Sequence, residues 1–241
     1  MSTEVHEIEV GGVRVQIVRK TIKNLHLGVY PPSGRVRVAA PSGVSDDAIR
    51  IAVVRRLGWI KRQRAKFLGQ PRQSERAMVA GESHYFLGRR YRLRVVVDQG
   101  AGRVQLRGGM LELHLRRGAT ARDRERMLLA WYRQQIRTLV PQLLDRWQPV
   151  LGVQVADWRI KRMKTKWGSC NAKAHRIWLN LELAKKPVRC LEYLVVHELA
   201  HLAEPGHNSR FIAIMDTHMP KWRARRAELN ATPLGHDSWN D

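Results

Sequence analysis

The sequence is poor in cysteine: its 241 residues include two, Cys170 and Cys190, with no Cys-x-x-Cys pair. A disulfide framework of the kind found in small secreted domains is therefore excluded. Two unpaired thiols fit a reducing compartment. Free cysteine commonly packs as a small buried side chain, so a catalytic Cys170 is the weaker of its two interpretations.

The sequence also lacks a long apolar segment. No stretch approaches the roughly 20 apolar residues that a membrane-spanning helix requires. The start of the chain carries acidic residues in an alternating pattern, unlike the basic start and apolar run of a secretory signal. From these two absences we expect a cytoplasmic protein that makes no membrane contact.

Acidic residues are scarce beside basic ones, with 21 Asp and Glu against 44 Lys and Arg and a formal net charge of +23. Arginine dominates, and its planar guanidinium favours bidentate contacts with phosphate or carboxylate. An excess of this size indicates an anionic partner, with nucleic acid as the first candidate. The alternative is a solvated basic surface, because the arginines are spread over several segments.

Strand patterns dominate the first half of the chain, and no internal repeat is evident. Apolar residues alternate with polar ones in several runs, as in half-buried strands. In the last run His114 falls on the polar phase, which predicts an exposed side chain. The second group of runs reads as an antiparallel meander with glycine turns. The alternating runs are 13–17, 25–29, 36–38, 91–97, 104–106 and 111–115.

Helix signals separate and follow these strands. Ser45 is a good N-cap for one helix that extends to about Phe67. Thr120 can cap a long helix to about Trp147, which Pro141 would kink or split. We therefore predict an α+β protein with a β-rich region that contains one helix at residues 1–118 and a second domain at residues 119–241.

The residues best suited to chemistry are His197-Glu198-Leu199-Ala200-His201, followed by His207. Histidines four apart lie on one face of a helix, so both imidazoles can reach one ion. The glutamate is then beside the metal rather than bound to it. Pro205-Gly206 can end the helix and turn the chain back. His207 is then the natural third ligand of a catalytic zinc, whose fourth position is left to water.

The residues around this motif predict a buried helix. Apolar side chains between Leu191 and Ala203 cover every side of the helical wheel. His197, Glu198 and His201 are the main polar exceptions, and buried polar groups need partners. A metal ion with its water would satisfy all three. The alternative is an amphipathic helix with incidental histidines and a surface glutamate.

Further motifs accompany these histidines: 167–170 (Trp-Gly-Ser-Cys), 177–180 (Ile-Trp-Leu-Asn), Pro187, 193–202 and 207–211. In these motifs the sequence resembles a known family, the YgjP-like metallopeptidases, which are similar to the SprT-like and WLM proteases of the zincin group. A looser likeness surrounds Gly81-Glu82 and Tyr85–Leu93. Glu204 stands where metzincins have glycine, so we do not expect a metzincin.

The resemblance implies a zincin-like α/β peptidase domain in which the metal-bearing helix packs beside a small sheet. It implies zinc ligands at His197, His201 and His207, with Glu198 as general base. It also implies that Trp167–Cys170 and Asn180 lie near the cleft, without assigning them a role.

The predicted function is zinc-dependent hydrolysis of peptide bonds in a protein or peptide substrate. An alternative is a basic nucleic-acid-associated protein with a structural or vestigial zinc site. A third hypothesis joins the two, as a peptidase recruited to proteins bound to DNA. A further group must stabilise the oxyanion, and the sequence does not choose among its candidates. Those candidates are Arg162, Lys164, Lys166, His175 and Tyr193.

Overall fold

A computed structural model of the chain describes residues 5–30, 33–68, 77–100, 102–163 and 166–231. These ranges contain eleven strands in three sheets and six α-helices, which confirms the α+β class. The chain divides into two compact units, Met1–Arg72 and Gln73–Asp241, here called the first and second unit. None of the described helices has the length and apolarity needed to cross a bilayer.

The first unit is a four-stranded sheet followed by two helices. Its central strands are parallel and its outer strands pair antiparallel to them, in the order β1-β2-β4-β3. Apolar side chains from the sheet and both helices form a core of their own. The elements are β1 (Val5–Val10), β2 (Val13–Lys20), β3 (His26–Tyr30), β4 (Arg35–Pro41), α1 (Asp46–Val54) and α2 (Leu57–Leu68).

The single helix predicted from Ser45 to about Phe67 is therefore divided in two. Ser45 caps α1 as predicted, with its hydroxyl accepting from the backbone N–H of Ala48 at 3.2 Å. At the break the N–H of Arg56 bonds to the carbonyl of Val53, a three-residue spacing that tightens the last turn. Val53 and Ile60, on opposite sides of the break, are both fully buried.

The second unit begins with another four-stranded sheet, of order β5-β6-β8-β7. The pairing again places two parallel strands at the centre and antiparallel strands outside. The predicted meander is therefore wrong, since β6 pairs with β8 and not with β7. This order places the buried leucines of β6 and β8 side by side. The strands are β5 (Ser83–Phe86), β6 (Arg89–Val97), β7 (Arg103–Arg107) and β8 (Met110–Leu115).

The two sheets thus share one topology, which the sequence analysis did not detect. Alternation of apolar residues is common to many strands, so it does not reveal the order in which strands pair.

The long helix α3 (Ala121–Leu151) covers the inner face of the second sheet. Thr120 caps it in a capping box with Asp123, as the sequence predicted for the cap. The helix continues through Pro141, because Val140 and Leu144 are packed in the core on either side. Since sheet and helix share this core, the compact units divide at residue 72, whereas the predicted domain boundary is at residue 118.

A small third sheet and three further helices complete the second unit. The order is β10-β11-β9, so β10 is an edge strand, antiparallel to β11. The elements are β9 (Asp157–Lys161), β10 (Gly168–Asn171), β11 (Arg176–Asn180), α4 (Val188–Ala203), α5 (Ser209–His218) and α6 (Trp222–Asn230).

Helix α4 is held at its start by the second sheet. Pro187 precedes the helix, and the turn between β5 and β6 packs against it. Gly88 in that turn has φ +82°, and a Cβ there would lie 2.6 Å from Pro187 Cγ. Only glycine fits both this conformation and this approach.

Candidate metal centre and cleft

Three imidazoles meet where α4 ends. His197 and His201 project from α4, and His207 returns from the turn that follows, so that the three ligand atoms lie within 4.8 Å of one another. The Nε2 atoms of His197 and His207 are 3.2 Å apart. Nitrogens each about 2.0–2.1 Å from a tetrahedral zinc lie roughly 3.3–3.4 Å apart. The spacing therefore fits a single ion.

The ring of Phe211 packs against the three imidazoles. Its ring centroid lies 5.0 Å from that of His197, 4.6 Å from His201 and 4.8 Å from His207. Asn208 caps α5 through the N–H of Phe211 at 3.1 Å, which fixes this helix directly after His207. In the sequence, Phe211 belongs to the motif 207–211 but has no assigned role. Its position four residues after the third histidine was the available signal.

Hydrogen bonding and burial favour the metal-binding form of His197 and His201. His201 Nδ1 donates to the carbonyl of Glu204 at 3.2 Å, leaving Nε2 as the lone-pair nitrogen. Burial, reinforced by the neighbouring histidines, lowers the pKa of His197 to about 3. Burial also lowers the pKa of His201. Neutral histidines are the ligand form, so the donor set fits a metal ion.

The carboxylate of Glu198 lies beside the histidines and is 4% exposed. Burial raises its pKa to about 8, and the charge of Lys166 opposes that rise. Gly168 on β10 makes room for it, because a Cβ there would lie 2.4 Å from Glu198 Oε1. Gly168 belongs to a motif in the sequence, but its contact with Glu198 joins residues 30 positions apart and was not predicted.

A cleft of about 330 Å³ opens onto the histidines and Glu198. One wall is β10, which contributes Gly168, Ser169 and Cys170. Burial and the nearby Glu198 raise the pKa of Cys170 to about 11, so the protonated thiol is a poor nucleophile. The full lining is Lys166, Gly168, Ser169, Cys170, Ala172, His197, Glu198, His201, Pro205 and His207.

Asn180 does not line this cleft but is fully buried behind it. Its Nδ2 donates to the carbonyls of Met163 at 2.8 Å and Lys166 at 2.7 Å. Its backbone N–H donates to the carbonyl of Trp167 at 2.8 Å. The resemblance placed Asn180 near the cleft, and these contacts show it holding the chain that leads into β10.

The structure separates four of the five oxyanion candidates. Lys166 lines the cleft. Tyr193 is 3% exposed and does not line it, and burial raises its pKa to about 12. His175 Nδ1 is 3.0 Å from the carbonyl of Gln154, and Arg162 is 3.6 Å from Glu125. Lys164 lies outside the described residues.

The chain is similar to a known protein family and to a solved structure. No curated protein matches the chain. Among solved structures, the crystal structure of the metallopeptidase zymogen abylysin from Pyrococcus abyssi is 23% identical, with 40% of this chain and 99% of that chain covered and a TM-score of 0.35. The model of the YgjP-like metallopeptidase domain matches residues 23–232. A metallopeptidase family implies a metal, and the chain belongs to the YgjP-like metallopeptidase family.

Proposed function

We propose that the protein is a zinc-dependent peptidase. The observation that carries the proposal is the convergence of His197, His201 and His207 beside a buried carboxylate in an open cleft. Three imidazole nitrogens suit zinc, whose catalytic sites keep a fourth position for water. We propose that these three histidines hold Zn²⁺ and that Glu198 is the general base.

The zinc ion, when bound, supplies a water whose pKa is lowered to about 7 and polarises the scissile carbonyl. Glu198 accepts a proton from that water and later gives it to the leaving amine. In the metal-free chain burial raises the pKa of Glu198 to about 8. A general base must be ionised, and a cation held by the three histidines would favour that form of Glu198.

The position of β10 supports an extended peptide as substrate. In the described part of the chain β10 is the last strand of its sheet and pairs with β11 on one side. Its residues 168–170 line the cleft. A peptide segment could add to such an edge by main-chain hydrogen bonds, which would place its carbonyl groups along the histidines. We therefore propose protein or peptide segments in extended conformation as substrates.

The experiment compares variants of the zinc-loaded protein on an unfolded protein substrate. Glu198→Gln is expected to retain about one zinc per chain and to lose roughly 10³-fold in kcat. The exposed Glu7→Gln is the matched control and should resemble the parent. Cleavage by Glu198→Gln at the parental rate would contradict the assignment of Glu198 as base.

The ligand assignment is tested by metal analysis of the purified proteins. His201→Ala is expected to lose the zinc, because two remaining imidazoles hold the ion far more weakly. His26→Ala, which removes an exposed histidine from β3, should keep it. Equal zinc content in both variants would place the ion elsewhere.

A second candidate function, nucleic-acid association, is favoured by the outer face of the β5–β8 sheet. Arginines on this face are exposed, while its acids are already paired. Glu112 is 3.2 Å from Arg94, and Asp98 is 2.9 Å from Arg103. This surface, the arginine face, consists of Arg90, Arg92, Arg94, Arg103 and Arg107.

Binding to single-stranded DNA at several salt concentrations tests the arginine face. Replacing Arg90, Arg92 and Arg107 by Gln should weaken binding and lower the salt slope by roughly 2, at about 0.7 per phosphate contact. The control replaces three exposed arginines of the first unit, Arg55, Arg56 and Arg62. Equal effects of the two triple variants would indicate net charge alone. DNA binding without peptidase activity would favour a nucleic-acid-associated protein with a structural zinc. DNA binding together with peptidase activity would favour a peptidase recruited to DNA.

A further inference from the structure

Lys166 lies two residues before β10 and takes no part in the proposed chemistry of zinc and Glu198. Lys166 lines the cleft together with Glu198 and the three histidines. Among the described lining residues it is the only lysine or arginine. We infer that Lys166 is a catalytic residue that stabilises the negative charge formed on the scissile carbonyl oxygen. This inference rests on the proposed peptidase function.

The backbone carbonyl of Lys166 is bound by a buried side chain. Its carbonyl accepts from Asn180 Nδ2 at 2.7 Å, and Asn180 is fully buried. The same nitrogen also donates to the carbonyl of Met163, so one amide joins two points of the segment before β10. A buried amide with these partners keeps its position, because breaking the contacts would leave polar groups unsatisfied.

Trp167 anchors the other side of Lys166. Its carbonyl accepts from the backbone N–H of Asn180 at 2.8 Å, and its indole N–H donates to Asn230 Oδ1 at 3.1 Å. The ring is buried, with Lys186 Nζ 5.1 Å from its centroid. The carbonyls of Lys166 and Trp167 are therefore both bonded to Asn180, and the four-carbon side chain of Lys166 extends from this anchored backbone at the cleft.

The proposed step needs a cation at this place. The water oxygen bonds to the carbonyl carbon, the π pair moves to the carbonyl oxygen, and Glu198 takes the proton of the water. The ammonium of Lys166 donates a hydrogen bond to that oxygen and keeps its own proton. When the carbonyl re-forms, the C–N bond breaks and the proton on Glu198 goes to the amine. A donor fixed before the reaction stabilises the charge as it develops.

The test measures kcat and KM separately for zinc-loaded Lys166 variants. Lys166→Met is expected to lower kcat about 10²-fold, the loss typical of one oxyanion donor, with KM and zinc content unchanged. Lys166→Arg, which keeps a donor, should recover part of the loss. Lys161→Met on β9 removes an exposed lysine that does not line the cleft, and should resemble the parent.

A binding measurement gives a readout independent of turnover. A phosphinic peptide carries a charged oxygen where the carbonyl oxygen becomes charged, so its affinity should fall in parallel with kcat in Lys166→Met. A peptide amide of the same sequence should bind to the parent and to Lys166→Met with equal affinity. In Asn180→Ser the loss should appear in kcat, and adding Lys166→Met should cause little further loss if Asn180 acts through Lys166.

Several results would overturn the inference. An unchanged kcat and an unchanged phosphinic-peptide affinity in Lys166→Met would remove Lys166 from the chemistry. A higher KM with unchanged kcat would make it a ground-state substrate contact, and lost zinc would make it structural. Failure of the peptidase proposal looks different, because the zinc-loaded parent and Glu198→Gln would then be equally inactive and neither would prefer the phosphinic peptide to the amide.

Discussion

The two four-stranded sheets have the same strand order and the same pairing, but the units that contain them bury different chemistry. In the described residues of the first unit every buried side chain is apolar. The described residues of the second unit include eight buried polar or charged ones. They are His84, Glu112, His114, Asn180, Glu182, Lys186, Glu198 and His201.

This difference teaches that the sheet topology does not itself require buried polar groups. The first unit satisfies the topology with valine, isoleucine and alanine. Buried polar groups cost free energy unless they are paired, so their concentration in the second unit needs a reason. Glu198 and His201 lie at the candidate metal centre, and Asn180 holds the segment beside it. Buried titratable groups with shifted pKa values in a cleft, such as Glu198 and His201, are typical of functional sites.

The largest effect is expected from removing a core side chain in each unit. Ile17 on β2 and Leu113 on β8 are both fully buried in their sheets. Each substitution to alanine should lower the free energy of unfolding by about 2–5 kcal/mol. Zinc should raise the transition temperature of the unit affected by Leu113→Ala and leave that of the unit affected by Ile17→Ala unchanged. Calorimetry with and without zinc measures both.

The contrary result would be a single unfolding transition whose temperature Ile17→Ala and Leu113→Ala lower equally and zinc raises in both variants. It would contradict the placement of the metal site in the second unit alone.

The next effect concerns the close approach of β10 to Glu198. Gly168→Ala should displace the carboxylate, because its Cβ would lie 2.4 Å from Oε1. We expect kcat to fall about 10²-fold, since small misplacements of a catalytic group have effects of this size. The matched control is Gly43→Ala in the first unit, where a Cβ meets nothing within 4 Å. Parental activity in Gly168→Ala would show that the carboxylate is free to adjust.

A smaller effect, on the pH dependence of the free energy of unfolding, is expected from the buried Lys186. The described part of the first unit has no buried lysine. Burial lowers the pKa of Lys186 from 10.5 to about 8. Below pH 8 the group is charged in both states. Between pH 8 and 10.5 the unfolded chain holds a proton that the folded chain has lost, so the free energy of unfolding rises with pH. From pH 7 to 9 the rise is about 1 kcal/mol.

Chemical denaturation of the parent and Lys186→Met across this pH range tests the prediction. The variant should lack the rise, and the difference cancels the titration of other groups. Parallel curves would mean that Lys186 does not carry the shift.

The smallest effect is the release of a proton when metal binds. Burial raises the pKa of Glu198 to about 8, so the carboxyl is mostly protonated at pH 7 in the metal-free chain. The cation lowers that pKa, and somewhat less than one proton per chain should be released at pH 7. Calorimetric titrations with zinc in buffers of different ionisation enthalpy measure it. Glu198→Gln should not show this contribution, and an unchanged release would assign it to other groups.

The sequence predicted those parts of the site that depend on local spacing. His197 and His201 share a helix face because they are four residues apart, and His207 follows a turn that Pro205-Gly206 already indicates. Their convergence agrees with that prediction. Their binding to zinc remains a proposal.

The contacts that the sequence did not predict join distant parts of the chain. Gly168 meets Glu198, and Asn180 meets the carbonyl of Lys166, only after three elements have packed together. His114 was expected to be exposed because it lies on the polar phase of β8. It is 7% exposed, since Arg103 and Gln105 from the neighbouring strand contact its ring nitrogens. Alternation identifies a side chain's face but not what covers it.

The most direct test of the central claim is anomalous diffraction at the zinc edge from crystals of the zinc-loaded protein. The account predicts one peak per chain, with Nε2 of His201 and a ring nitrogen of His197 and of His207 each about 2.0–2.1 Å from it. A peak elsewhere, or one at His197 and His201 with the ring of His207 turned away, would contradict the three-histidine centre and the peptidase function that depends on it.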